Sequence, residues 1–370
     1  MKITKLTIKT KSKAYPIYFG NKILKSTGKL IKQNISGVKK ICIISDDKLP
    51  RFLLNTLVKS LNSFHLKIYK LPANEKNKNF NVAIKIIEQL LKENFNRTDC
   101  VIALGGGMGG DISAFVSNLT KRGLKFINIP TTLLAQADAS IGGKTGVNSK
   151  FGKNLIGTFS QPKLVINDIS LLKSLKKKEM ICGYAEILKH AVIKDKKFFQ
   201  WLKSNTKYIF LHEKKKLIYA IKKSCKIKLS FVNKDVNEKN LRMILNFGHT
   251  FAHAIEVKNN YSKNFTHGEA VLAGMILATK LSIIKKVCNK KVLKDLMEIY
   301  SANNLDYTLN KYRYPREINK LIPYLKNDKK NNDEKINFIL LNKIGKTTMP
   351  NKYKISINEL KKNIRSFIQY

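Results

Sequence analysis

Val101-Ile102-Ala103-Leu104-Gly105-Gly106-Gly107-Met108-Gly109-Gly110-Asp111 is the stretch on which the reading of the chain turns. A short apolar run that ends in glycines reads as a buried strand. Glycines behind such a strand let the backbone approach a phosphate, and a helix start directs N–H groups and the positive end of its dipole at the anion. Alone, the signal is weak. The chain then continues through Arg122, an apolar run at 126–129, Pro130-Thr131-Thr132, Asp138, Gly142-Gly143-Lys144 and Gly152-Lys153-Asn154. Two glycine-rich turns with lysines so close together suggest a site for an anionic ligand.

Around this stretch, runs rich in β-formers at 41–45, 66–70, 99–104, 126–129 and 164–167 alternate with helical periodicity at 51–61 and 81–94. In the second helix Ile84, Ile87, Leu90 and Leu91 share a face. That alternation predicts βαβ units on a mainly parallel sheet, an α/β dinucleotide-binding domain over residues 1–176. From 177 to 370 the pattern predicts a mostly α-helical domain, with helices at 177–193, 214–231, 243–257 and 268–285. A small hairpin is expected within 335–349 around Gly345, and Ser356 with Glu359 reads as a capping box that opens a last helix.

Of the 370 residues 43% are hydrophobic, enough to fill a core in each domain. The formal charge of +46, from 71 Lys+Arg against 25 Asp+Glu, invites a polyanion partner. The lysines are spread along the whole chain among many asparagines and isoleucines, as a coding bias produces, so a solvated surface and no specific nucleic acid are expected. Five cysteines with no Cys-x-x-Cys spacing predict reduced structural thiols. With no apolar leader, and with the apolar run at 270–278 stopping at Lys280, a cytoplasmic protein without a membrane partner is expected.

His249 and His253, spaced i and i+4, lie on one face of a helix, and His267 follows closely, so three of the six histidines fall in one short stretch. A metal or acid/base site outweighs the alternative of a hydrogen-bonded helix pair. Glu186 lies on an otherwise small and apolar helix face beside Lys189 and His190. An inward carboxylate must be paired or ligate a metal. It either completes a metal site with two imidazoles or forms a surface ion pair with Lys189, and spacing leaves the two readings level. Lys144, Lys153, Lys228, Arg242 and Lys346 stand beside glycines, asparagines or apolar helices rather than in the lysine runs, which suits cations that converge on an anionic substrate.

The stretch from Pro130-Thr131-Thr132 through Asp138 and Lys144 to Asn148, with Gly152-Lys153-Asn154-Leu155-Ile156-Gly157, closely resembles the central signature of the 3-dehydroquinate synthases of the shikimate pathway. Ala185-Glu186-Ile187-Leu188-Lys189, the block from Leu245 through His249 and His253 to Glu256, and His267-Gly268-Glu269 are three further matching blocks. The resemblance implies a homodimer whose α/β domain binds NAD, whose helical domain binds one divalent metal, zinc or cobalt, and whose active site is a cleft between them. Carried over by position, it implies NAD against Asp46, Glu75, Lys78, Gly106, Gly107, Gly109, Gly110, Asp111, Thr131 and Thr132, with Asp138, Lys144 and Lys153 close by. It implies Glu186, His249 and His267 as metal ligands, with His253 touching substrate instead. Asp138, Lys144, Lys153, Asn154, Lys189, Lys228, Arg242, Asn246 and Lys346 match substrate-pocket residues, and Arg122 matches one that reaches the partner subunit's site.

The implied reaction converts 3-deoxy-D-arabino-heptulosonate 7-phosphate, an anionic sugar phosphate, into 3-dehydroquinate and phosphate. It runs by transient oxidation, β-elimination of phosphate, reduction, ring opening and aldol closure. Four positions depart from the family pattern. Gly109 replaces an aliphatic residue, Asn74 a glycine, and Val236 and Asn240 interrupt an acidic motif that keeps Asp235, Glu238 and Arg242. Alternatives on the same scaffold are a sister sugar-phosphate cyclase and a metal-dependent alcohol dehydrogenase.

Overall fold

A computed structural model describes residues 3–9, 14–259, 266–308, 318–327 and 335–369. Contacts divide the chain into one compact unit of residues 1–175 with 217–222 and a second of residues 176–216 with 223–370.

The first unit is a seven-stranded sheet. Strands β1 (Thr4–Lys9), β2 (Ala14–Gly20), β3 (Lys40–Asp46), β4 (His65–Leu71), β5 (Cys100–Gly105) and β6 (Lys125–Pro130) precede a separate hairpin of β7 (Lys144–Ser149) and β8 (Gly152–Phe159), and β9 (Leu164–Asp168) closes the set. The sheet order is β1-β2-β9-β6-β5-β3-β4, parallel except for the β1–β2 pair. The five predicted strands correspond to β3, β4, β5, β6 and β9, the one at 99–104 starting one residue before β5. The β1–β2 and β7–β8 hairpins were not anticipated.

Alternate side chains point to opposite faces of a strand, and both faces here are covered by helices. Ile41, Ile43, Ile102 and Leu104 pack with Leu30 and Ile31 of α1 (Thr27–Asn34) and Leu53 and Leu57 of α2 (Arg51–Ser60). Cys42, Ile44, Val101 and Ala103 pack with Ile86 and Leu90 of α3 (Phe80–Lys92) and Ile112 and Phe115 of α4 (Gly107–Leu119). Strand β4 lies on one side of β3 and β5 on the other, so the winding reverses between β3 and β5. In such sheets ligands bind beyond the carboxyl ends of the strands at that reversal. The glycine stretch sits there.

The second unit is mostly helical: α5 (Lys177–Lys194), α6 (Lys196–Phe210), α7 (Lys214–Val232), α8 (His249–Lys258), α9 (His267–Ile284), α10 (Lys290–Ala302), α11 (Ile357–Lys362) and α12 (Ile364–Gln369). The periodicity at 243–257 predicts one helix, but the structure has a 3-10 turn at Leu241–Asn246 and then α8, broken at Gly248 with φ +79°. A left-handed residue interrupts the ladder of i to i−4 bonds, and glycine adopts it at least cost. The late hairpin is β11 (Leu341–Lys343) with β12 (Lys346–Thr347) around Gly345, whereas β10 (Lys335–Phe338) pairs with β13 (Tyr353–Ser356). Helix α9 is long and apolar enough to cross a membrane, yet 83% of it is buried within the protein, as a core helix is.

Candidate functional site

In the first unit α4 begins directly behind β5, with Gly106 as its N-cap. A Cβ on Gly106 would meet Thr132 Cγ2 at 3.2 Å, and one on Gly107 would lie 3.5 Å from Ala139 Cβ. Backbone N–H groups of a 13-residue helix therefore line a notch that side chains would fill, which fits the pyrophosphate of a dinucleotide. Asp46 ends β3 beside it, and Thr131 N–H donates to Gly105 O at 2.9 Å, holding the strand ends level.

Lys78 is 5% exposed, and its Nζ donates to Asp111 Oδ2 and to Asn154 Oδ1, each at 2.5 Å. It ties the first turn of α4 to the β7–β8 hairpin. Asn154 is left-handed, φ +55°, and its N–H donates to Asn148 Oδ1 at 3.0 Å, while Asn148 Nδ2 donates to Glu75 Oε1 at 2.8 Å. Sequence reasoning passed over Asn148, which sits inside the quoted signature and is the hub of this loop. Asp138 falls in a π-helical turn, Ala135–Ala139, anchored by Gln136 Nε2 on Pro130 O and Asp168 O. Lys144 is exposed on β7 and Lys153 half-buried on β8. Arg122 stands exposed in the 3-10 turn Thr120–Arg122 that follows α4, left-handed at φ +64°.

Three of the departures from the family pattern have a local account. Gly109 leaves room, since a Cβ there would meet only Leu71 Cδ2 at 3.9 Å. Asn74 has φ −145°, so nothing there requires glycine, and its side chain accepts from Asn77 N at 3.1 Å. Val236 acts through its carbonyl, which accepts from Arg242 Nη1 at 2.6 Å. The loop still closes on Asp235. Its carboxylate accepts the N–H groups of Lys239, Asn240 and Arg242, which outweigh its burial and hold its pKa below the usual carboxylate range.

In the second unit, Glu186, His249 and His267 bring one ligand atom each to within 4.8 Å of one another. Glu186 Oε1 is 3.4 Å from His249 Nε2 and 3.8 Å from His267 Nε2. Ligands about 2.1 Å from a tetrahedral zinc stand about 3.4 Å apart, so the spacing and the carboxylate–imidazole donor set fit zinc or cobalt. Glycine sets this geometry. A Cβ on Gly274 would strike Gly248 O at 2.2 Å and one on Gly268 would strike Cys182 Cα at 2.3 Å, so α9 lies against both α8 and α5.

The ion pair expected at the surface is buried: Lys189 Nζ bonds Glu186 Oε2, with 3% and 1% side-chain exposure. Carboxylate ligand and ion pair, posed as alternatives by the sequence, here involve the same Glu186. Burial and the neighbouring Lys189 ammonium push the His249 pKa well below its ordinary value. Burial acts the same way on His267, but hydrogen bonds to the Glu186 and Glu256 carboxylates prevail and hold its pKa well above. His253 is exposed, its ring 5.5 Å from that of His249. Arg242 and Lys228 are buried, at 2% and 7%, Asn246 Nδ2 donates to Glu238 Oε1 at 2.9 Å, and Lys346 is exposed on β12.

The chain shares its fold with 2-deoxy-scyllo-inosose synthase solved with carbaglucose-6-phosphate, NAD+ and Co2+. The TM-score is 0.87 at 23% identity, over 98% of this chain and 100% of that one. It shares it also with 2-epi-5-epi-valiolone synthase from Streptomyces hygroscopicus subsp. jinggangensis 5008 with NAD+ and Zn2+ bound, at TM-score 0.83, 22% identity and 98% of both chains. The likeness to these two synthases is one of fold. Residues 68–182 match the 3-dehydroquinate synthase N-terminal family and residues 183–331 the 3-dehydroquinate synthase C-terminal family. A 3-dehydroquinate synthase from Pelagibacter ubique (strain HTCC1062) is 45% identical over 369 residues, 100% of this chain and 99% of that protein. The chain belongs to the 3-dehydroquinate synthase family.

Proposed function

We propose that the chain converts 3-deoxy-D-arabino-heptulosonate 7-phosphate into 3-dehydroquinate and phosphate, a carbon–oxygen lyase reaction. The observation that carries this reading is the convergence of Glu186, His249 and His267 in a chain whose family match spans both units. These three side chains would hold a zinc or cobalt ion, and the notch at Gly106 and Gly107, with Asp46, Glu75, Lys78, Asp111, Thr131 and Thr132, would hold NAD. When bound, the metal supplies Lewis acidity toward a substrate hydroxyl, and NAD supplies a reversible hydride acceptor.

The chain's own residues would do the rest. Lys144, Lys153, Lys228, Arg242 and Lys346 would fix the phosphate and carboxylate, where preset cations stabilise charge without reorganising. Asp138, Asn154, Asn246 and His253 would orient hydroxyls. Lys189 would hold the Glu186 carboxylate in place through their ion pair. The same family reading implies a cytoplasmic homodimer in which Arg122 serves the partner's site, and five cysteines not joined in disulfides suit a reducing compartment.

Incubation with the heptulosonate phosphate, NAD and Zn2+ tests the proposal, with equimolar phosphate and 3-dehydroquinate and no net NADH as the expected result. Accumulating NADH would mean a dehydrogenase instead. Cyclisation of a different sugar phosphate alone would mean a sister cyclase.

A further inference from the structure

We propose that Glu256 is a positioning residue for the metal: its carboxylate holds the His267 ring so that Nε2 faces Glu186. The inference rests on reading Glu186, His249 and His267 as the ligands, and it assigns a role to a residue that the family signature contains without explaining. Glu256 follows His249 by seven residues, which is two turns or about 10.5 Å along the same side of α8. One helix thus carries a ligand of its own and, two turns on, the group that orients a ligand of the next helix. The close approach of α8 and α9 at Gly248 and Gly274 brings them within reach.

His267 needs such a support. It is the first residue of α9, where the capping box of Thr266 and Glu269 fixes its backbone. Its ring still turns about two torsions, and at 31% exposure against 14% for His249 it is the less enclosed of the two. Glu256 Oε1 lies 3.3 Å from His267 Nδ1, while the opposite ring nitrogen, Nε2, is the one near Glu186. A proton on Nδ1 donated to Glu256 leaves the Nε2 lone pair for the metal, which selects both the tautomer and the ring face. Glu269, the other nearby carboxylate, is occupied: its Oε2 accepts the Thr266 N–H at 2.5 Å.

The test uses the full chain with Glu256→Leu and Glu256→Gln. Zn2+ affinity is measured by chelator competition, and ligand geometry by the visible absorption of the Co2+-loaded protein. Glu256→Leu should weaken Zn2+ binding roughly ten- to hundredfold and shift the Co2+ bands. Glu256→Gln, which still offers an oxygen to Nδ1–H, should recover part of the affinity and the native band positions. Wild-type affinity and spectrum in Glu256→Leu overturn the inference. If that variant does not fold, undiminished affinity in Glu256→Gln does the same. A wild-type chain that takes up no Zn2+ overturns the ligand reading as well.

Discussion

Glu186 and Lys189 form an ion pair one turn apart on α5, and both side chains are nearly sealed from water. Removing one member of a buried pair strands the other charge, at about 3–5 kcal/mol. Lys189→Met should therefore destabilise the metal-free protein by roughly that amount. Added Zn2+ should restore part of the loss, because a cation again faces Glu186. Urea unfolding with and without Zn2+ measures both effects, and a metal-free variant within about 1 kcal/mol of wild type would contradict the pair's role.

The two ligand histidines lean in opposite directions, which fixes the pH response of metal uptake. His249, with its pKa depressed, is already neutral near pH 7, whereas His267 is held protonated. Metal binding must displace that proton. Zn2+ affinity should rise about tenfold per pH unit between pH 6.5 and the raised His267 pKa, then level off. In the metal-free protein the His267 contribution to stability is full below about pH 6.5 and is lost as pH rises through the folded pKa. Affinity that does not change across this window would show that His267 carries no displaceable proton.

Both cores were legible because they follow from period: β3 and β5 alternate between two covered faces, and α3 repeats its apolar residues at helical spacing. The chemistry-bearing residues were legible through their clustering and through the family signature. What escaped depends on contacts distant in sequence. Nothing local in 4–9 or 14–20 shows that they pair with each other or that 14–20 also pairs with β9, and β7–β8 is glycine-rich and half-exposed, so it reads as loop. The break at Gly248 was hidden by helical periodicity on both sides of it. The burial of Glu186 with Lys189 was undecidable from spacing, because an i, i+3 pair looks the same on an exposed or an inward face.

Two glycines of equal appearance in the sequence should behave oppositely. Gly109 is buried inside α4 with room for a methyl group, so Gly109→Ala should raise stability by about 0.5–1 kcal/mol through the unfolded chain's lost freedom. Gly274→Ala would drive a Cβ into Gly248 O at 2.2 Å and push α8 from α9, which separates His249 from His267. It should lower both the thermal midpoint and Zn2+ affinity. Thermal scans and metal titration of the two variants provide the comparison.

His190 and Ser224 join α5 to α7 by a hydrogen bond of 2.7 Å between Nδ1 and Oγ, with both residues fully enclosed. His190 lies one turn beyond Glu186, and Ser224 one turn before Lys228, so the bond sets the register of two helices that carry matched site residues. Ser224→Ala deletes this partner of a buried imidazole and should cost about 1–3 kcal/mol. Replacing both members by apolar groups is far less costly, because no desolvated nitrogen loses its partner. His190→Leu with Ser224→Ala should therefore be more stable than Ser224→Ala alone, yet turn over more slowly if register is what the bond provides. Urea unfolding and steady-state kinetics on the single and double variants separate the two contributions. A double variant with wild-type turnover would assign the bond to stability alone.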